Sequence, residues 1–119
     1  MRKKVYISGK IGEEVLSVAT REKFANAEKW LKAQGYDVFN PTTSGLGTAA
    51  ERAAKKFATT FYKEILLLDI VALQQCDIIC LLPDWCNSPG AQAELYFAKA
   101  IGLKVKQLIS YGDKVFNWV

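Results

Sequence analysis

The segment NSPGAQAELYFAKAIG, residues 87–102, begins with residues suited to receiving an anion and runs on into a carboxylate where an apolar residue belongs. Ser88 is a good helix N-cap and Pro89 a good first helical residue, which leaves the amides of Gly90 and Ala91 free to face a ligand. Such an end attracts negative charge. Beyond it, Ala91, Glu94, Leu95, Ala98, Ile101 and Gly102 recur at helical spacing, so Glu94 falls on the stripe that should pack inward. Helical side chains lean toward the N-terminus, and Glu94 therefore reaches back to the mouth that Ser88 opens.

A second acid repeats the anomaly. Asp69, in LLLDIVALQQCD, is flanked by Leu66 to Leu68 and by Ile70 to Leu73, leaving little polar circumference on which to expose it. Buried carboxylates are rare unless paired or functional. The alternatives are a Glu94 at the solvated edge of its stripe or paired with a Lys, and an Asp69 on a narrow polar face. Tyr6, two residues before the end of the first strand, reads on its own as core. Trp85 either stacks on a planar ligand or covers the core. Asp77 precedes a buried strand and suits a turn or a backbone amide.

Other chemistries are poorly served. There is no His and no CxxC pair, so zinc would need Cys and carboxylates at unusual spacing, and no metal is expected. The three thiols, Cys76, Cys80 and Cys86, have no His to activate them and read as reduced cysteines of a cytoplasmic protein. SGK after Tyr6 lacks the GxGxxG spacing, and Gly45 and Gly47 do not form a Walker loop. A net charge of +4, spread over separated pairs, suits anionic small molecules better than a nucleic-acid polymer.

These residues need a scaffold. At 119 residues, half of them hydrophobic and 24% charged, the chain fits one globular domain spanning residues 1–119. Its basic start is followed by too short an apolar run for a signal peptide or a membrane span. Lys3 to Ser8 predicts a strand, Gly9 to Ser17 a loop, and Val18 to Gln34 a helix capped by Gly35. Tyr36 to Phe39 predicts a second strand, closed by Asn40-Pro41.

Thr42 to Thr48 reads as a Gly-rich loop, and about Ala49 to Gln75 as a long helix that breaks near Thr59-Thr60. Asp77 to Leu82 predicts a strand buried on both faces, Pro83 to Asn87 a loop, Ser88 to Ile101 a helix and Leu103 to Ile109 a fourth strand. The tail SYGDKVFNWV is too aromatic to be free.

Alternating strands and helices predict an α/β fold: a flavodoxin-like, open, doubly wound parallel sheet of four to five strands with helices on both faces. Ligands of such sheets bind beyond the strands' carboxyl ends, where strand order reverses. The candidate binding residues are thus Ser8 and Gly9 after the first strand, Asn40 after the second, Trp85 after the third, and Ser88 and Gly90 at the helix start.

VYISG, the Asn40-Pro41 pair, D-x7-D in DIVALQQCD and LLPDWCNSPGAQAELYFAKAIG together resemble the nucleoside 2-deoxyribosyltransferase-like superfamily, notably its short, often phage- or prophage-borne branch with an LLPxWxxSxGAxxE pattern. The resemblance spans about residues 4–105. It implies cleavage of the N-glycosidic bond of a 2′-deoxynucleoside or its 5′-monophosphate, without metal or redox cofactor. On that resemblance Glu94 is the nucleophile toward the anomeric carbon, Asp69 acts at the leaving base, and Tyr6 orients the catalytic carboxylate.

Ser88 stands where the transferases of free nucleosides carry an Asp and the monophosphate hydrolases a Ser, which favours a nucleotide substrate. A homodimer or larger homo-oligomer is also implied. The alternatives are a nucleotide-binding or sensing module with the same pocket and no turnover, and an interaction protein that uses its aromatic tail.

Overall fold

The computed structural model describes residues 2–11, 16–111 and 115–119. The centre of the loop expected over Gly9 to Ser17, and residues 112–114 of the tail, lie outside that range. The chain runs β1 (Lys4–Ser8), α1 (Val18–Ala33), β2 (Asp37–Phe39), α2 (Leu46–Lys56), α3 (Phe61–Gln74), β3 (Ile78–Leu81), α4 (Pro89–Ala100), β4 (Lys104–Tyr111) and β5 (Val115–Trp118). One 3-10 turn, Trp85–Asn87, interrupts the loop between β3 and α4.

The sheet order is β2-β1-β3-β4-β5. The first four strands are parallel, as the alternation of elements predicts, and β5 returns antiparallel along the edge of β4. From β1 the chain steps outward to β2, then crosses back to β3 and on to β4. Strand order therefore reverses between β1 and β3, and the carboxyl ends of those two strands meet where Ser8 pairs with Leu81.

Both faces of the sheet are covered. Side chains alternate along β1, so Val5 and Ile7 point to one side and Tyr6 and Ser8 to the other. Val5 and Ile7 pack with Ile78, Cys80 and Leu108 beneath Phe24, Ala27 and Leu31 of α1. Trp118 closes the edge of this layer, its ring centroid 5.8 Å from that of Trp30 and 5.1 Å from that of Tyr36. The aromatic tail is thus tied down. On the opposite face Tyr6 packs with Ile79 and Leu81 beneath Leu73 of α3 and Leu95 and Ala98 of α4, and α2 rides on α3.

Caps set the helix limits. Ser17 accepts the Thr20 amide at the start of α1, and Gly35, with φ +93°, ends it. The region after β2 departs from expectation. Gly45, with φ +77°, turns the chain directly into α2 at Leu46, so the last three residues of the predicted Thr42 to Thr48 loop are the first turn of a helix. The long helix, by contrast, breaks near Thr59-Thr60 as expected: Ala58 adopts φ +54°, and Thr60 restarts helix α3 by accepting the Lys63 amide. An Ala in the left-handed region costs about 1 kcal/mol, held here by the helices on either side.

Candidate active site

On α4 the buried residues are Ala91, Glu94, Leu95 and Ala98, the predicted stripe, although Ile101 at its end is exposed. Ser88 caps the helix by accepting the Ala91 amide at 3.1 Å, and Pro89 fills the first helical position. Glu94 then projects onto the face of β1 that carries Tyr6 and Ser8. The Tyr6 hydroxyl donates to Glu94 Oε2 at 2.5 Å, and the Ser8 hydroxyl donates to Oε1 at 2.8 Å. Stacking on Phe39, with rings 5.3 Å apart and 10° from parallel, fixes the phenol.

Glu94 is 6% exposed and pairs with no cation among the described residues. Burial raises its carboxyl above the ordinary range, the two hydroxyls partly offset that, and the balance leaves it at about 7. The Tyr6 phenol is pushed well above its usual value by burial and by the charges of Glu94 and Asp69. Tyr6 is thus a permanent donor and Glu94 a carboxyl poised between its two forms near neutral pH.

Asp69 lies on α3 and is 7% exposed, while Leu67 and Val71 on the same helix face outward. Its Oδ1 is buried with no hydrogen-bond partner among the described residues. Burial, then the charge of Glu94, pushes Asp69 up to about 8, so at neutral pH it is mainly a proton-bearing acid. The electrostatic coupling to Glu94 marks the two acids as one system, whose protons leave in two steps shared by the pair.

Asp69 forms part of the wall of a cleft of about 380 Å³, with Ile11, Leu16, Thr42, Thr48, Phe61, Tyr62 and Ile65. The volume falls within the roughly 300–1,000 Å³ typical of small-molecule sites. Its walls are mainly apolar and include an aromatic ring, as suits a planar ligand. Among the described residues no three His, Cys, Asp or Glu side chains cluster as metal ligands, and Cys76 and Cys80 are buried with thiols raised to about 11 and about 12.

The remaining predicted residues divide by role. Ser88 is buried at the helix start, and Gly90 beside it leaves room for the Tyr62 hydroxyl, 3.1 Å from where a Cβ would stand. Gly9 is required by packing, because its Cβ would come within 2.7 Å of Leu82 Cδ1 and 3.1 Å of an Asp84 oxygen. Asn40 organises a turn: it donates to Glu28 Oε1 at 3.0 Å and accepts both the amide and the hydroxyl of Thr42. It thereby presents Thr42 to the cleft. Trp85 packs against the Tyr6 and Leu95 cluster, which is the core-covering alternative.

Asp84 and Lys23 were not legible as site residues. Asp84 Oδ1 accepts the Lys10 amide at 3.0 Å, Oδ2 pairs with Lys23 Nζ at 2.5 Å, and Lys23 also donates to the Lys10 carbonyl at 2.7 Å. The loops after β1 and β3 are clamped together over the switch point. The one available signal was the Asp after Pro83 in a strand-to-helix loop, a position suited to bonding backbone amides. Asp84→Ala is expected to cost about 1–3 kcal/mol in urea unfolding with an unchanged m-value.

No helix among the described residues is long and apolar enough to cross a membrane. No curated protein matches the chain. A family model described as a domain of unknown function, DUF4406, matches residues 3–107, from the lead-in to β1 into β4, and so takes in Tyr6, Ser8, Asp69, Ser88 and Glu94. The chain belongs to the DUF4406 family.

Proposed function

We propose that the chain cleaves the N-glycosidic bond of a 2′-deoxynucleoside 5′-monophosphate, by hydrolysis or by transfer to a second base, with Glu94 as nucleophile. The observation that carries this is the pairing of Glu94, buried and gripped by Tyr6 and Ser8, with Asp69, buried, unpartnered at Oδ1 and part of the cleft wall. Two carboxyls held in different protonation states are what cleavage at an anomeric carbon needs.

The ionised Glu94 attacks the anomeric carbon as the C–N bond breaks and its electron pair leaves with the base. Asp69 supplies the proton that the departing base requires. Water, or the ring N–H of a second base, then gives its proton back to Asp69 and displaces Glu94 from the sugar. These steps call for neither a metal nor a redox cofactor. The competent form has Glu94 ionised and Asp69 protonated, so activity should peak between about 7 and about 8 and fall on both sides. A nucleotide is favoured over a nucleoside by the Ser88 cap and the amide end of α4, which welcome a phosphate.

A homodimer or larger homo-oligomer belongs to the same proposal. The outer faces of α3 and α4 expose Leu67, Val71 and Tyr96, an apolar surface of the kind that self-association covers. The test of function is incubation with the common deoxynucleoside 5′-monophosphates and a set with modified bases, followed by chromatography. Free base or exchanged base is the expected product. Complete recovery of every nucleotide, with tight binding of one, would instead leave a binding or sensing module.

A further inference from the structure

Thr42 shares the cleft wall with Asp69, and the direction of its hydroxyl is set from outside the cleft. The wiring begins on α1. Glu28 is ionised: burial raises its carboxyl, but hydrogen bonds from Lys32, at 2.7 Å, and from Asn40 outweigh that and hold it below the ordinary range. A carboxylate only accepts, so the Asn40 group 3.0 Å from Glu28 Oε1 must be its NH2, and Asn40 Oδ1 is turned the other way. There Oδ1 accepts the Thr42 amide at 2.9 Å and the Thr42 hydroxyl at 2.6 Å. Asn40 is buried, so solvent does not compete for these bonds. The hydroxyl proton of Thr42 is thus committed to Asn40. What remains on Oγ1 is its lone pairs, to which no group among the described residues donates.

Asp69 is the complementary group. It is buried, unpartnered at Oδ1 and proton-bearing at neutral pH, and so offers the cleft a donor. One wall therefore carries a fixed acceptor and a donating carboxyl, set among the apolar side chains of Ile11, Phe61 and Ile65. The other hydroxyls on that wall, those of Thr48 and Tyr62, are exposed and can turn either way. A purine matches the fixed pair along one edge. Its N7 is an acceptor, and the neighbouring group at carbon 6 donates when it is an amine and accepts when it is an oxo group. With the Asp69 proton at N7, Thr42 Oγ1 accepts from a 6-aminopurine but meets a 6-oxopurine lone pair to lone pair.

We infer that Thr42 is a specificity-determining residue, its oxygen accepting the 6-amino group of the base, so that among purine nucleotides the cleft takes a 6-aminopurine over a 6-oxopurine. The assignment rests on the nucleotide reading of the site and names the base class that the reading leaves open.

Isothermal titration calorimetry of 2′-deoxyadenosine and 2′-deoxyinosine 5′-monophosphates, which differ in the group at carbon 6 and the N1 proton that goes with it, tests it on Glu94→Gln protein to prevent turnover. The adenine nucleotide is expected to bind about tenfold more tightly, because an oxo group leaves the Thr42 acceptor unpaired. Thr42→Val, which keeps the branched shape and removes the oxygen, should abolish that preference, and Thr42→Ser should retain it. Equal binding of the two nucleotides before any change at Thr42 would overturn the inference. So would a preference that Thr42→Val leaves unchanged, or a weakening of both nucleotides alike. An adenine preference that responds to Thr42→Val, with no cleavage by the unmodified protein, would remove the reaction and leave the assignment standing. Cleavage confined to pyrimidine or 6-oxopurine nucleotides would do the reverse, and absence of nucleotide binding would overturn both.

Discussion

Glu94→Gln is expected to lower base release from a deoxynucleoside 5′-monophosphate by about 10⁴-fold, the scale on which removal of a nucleophile is felt. The substitution keeps the shape of the side chain and leaves an amide that can still meet the Tyr6 and Ser8 hydroxyls, so the fold should persist. What disappears is the negative charge at the anomeric carbon. Residual turnover within tenfold of the unmodified protein, with circular dichroism showing the variant folded, would assign the reaction to some other group. Tyr6→Phe should be milder, since Ser8 continues to hold one carboxylate oxygen and only the orientation of the other is released.

The second large effect belongs to Asp69. Asp69→Asn removes the acid while keeping its volume, and base release should fall by about 10²- to 10³-fold, the usual contribution of a positioned general acid. The alkaline fall in rate should disappear with it, because the group that deprotonates at about 8 is gone. Stability should move the opposite way.

In the unfolded chain Asp69 ionises near its ordinary value of 3.8, and in the folded protein at about 8. Between those values the folded form binds the additional proton, so stability declines as pH rises through that window and is unaffected below it. The Asn variant escapes this decline. Urea unfolding should find it more stable than the unmodified protein by about 5 kcal/mol at pH 8, with little difference near pH 4. Equal stability at both pH values would mean that Asp69 is solvated and ionised, and would remove it as the acid.

Much of this site could be read before the fold was seen because two periodicities point at it. Helical spacing put Glu94 on an inward stripe and the switch point of a parallel sheet put the end of the first strand near it, but that Ser8 shares the Tyr6 face and holds the same carboxylate came only with the fold. Local signals failed where long-range packing decides. Gly45 was read as part of a loop, but its positive φ starts α2, since nothing in the sequence ranks a turn against a helix start at TTSGLGT. The break near Thr59-Thr60 was legible from the capping threonines, but its pivot, Ala58 in the left-handed region, was not, since neither Gly nor Pro announces it. The return of β5 along β4 depends on Trp118 finding Trp30 and Tyr36, partners more than eighty residues earlier in the chain.

The same limit applies to side chains chosen by position alone. Asn40 and Gly9 sit where ligands of such folds bind, yet the first spends its amide on Glu28 and Thr42 and the second yields space to Leu82. Trp85 covers the core. The cleft wall is built instead from Thr42, Phe61, Tyr62 and Ile65, three of them on an α3 whose sequence is apolar in nearly every direction and so gives no facing. Lys23 and Asp84 meet across sixty-one residues, a pairing that only the folded chain reveals.

The most direct measurement is the mass of the protein after incubation with 2′-fluoro-substituted deoxynucleoside 5′-monophosphates, since fluorine beside the anomeric carbon slows both halves of a reaction with an oxocarbenium-like transition state and lets a covalent sugar adduct accumulate. A gain of one fluorinated sugar phosphate, mapped by proteolysis to the peptide holding Glu94 and absent from Glu94→Gln protein, is the predicted result. Base release from the natural nucleotide with the adduct on any other residue, or with no adduct at all, would contradict it.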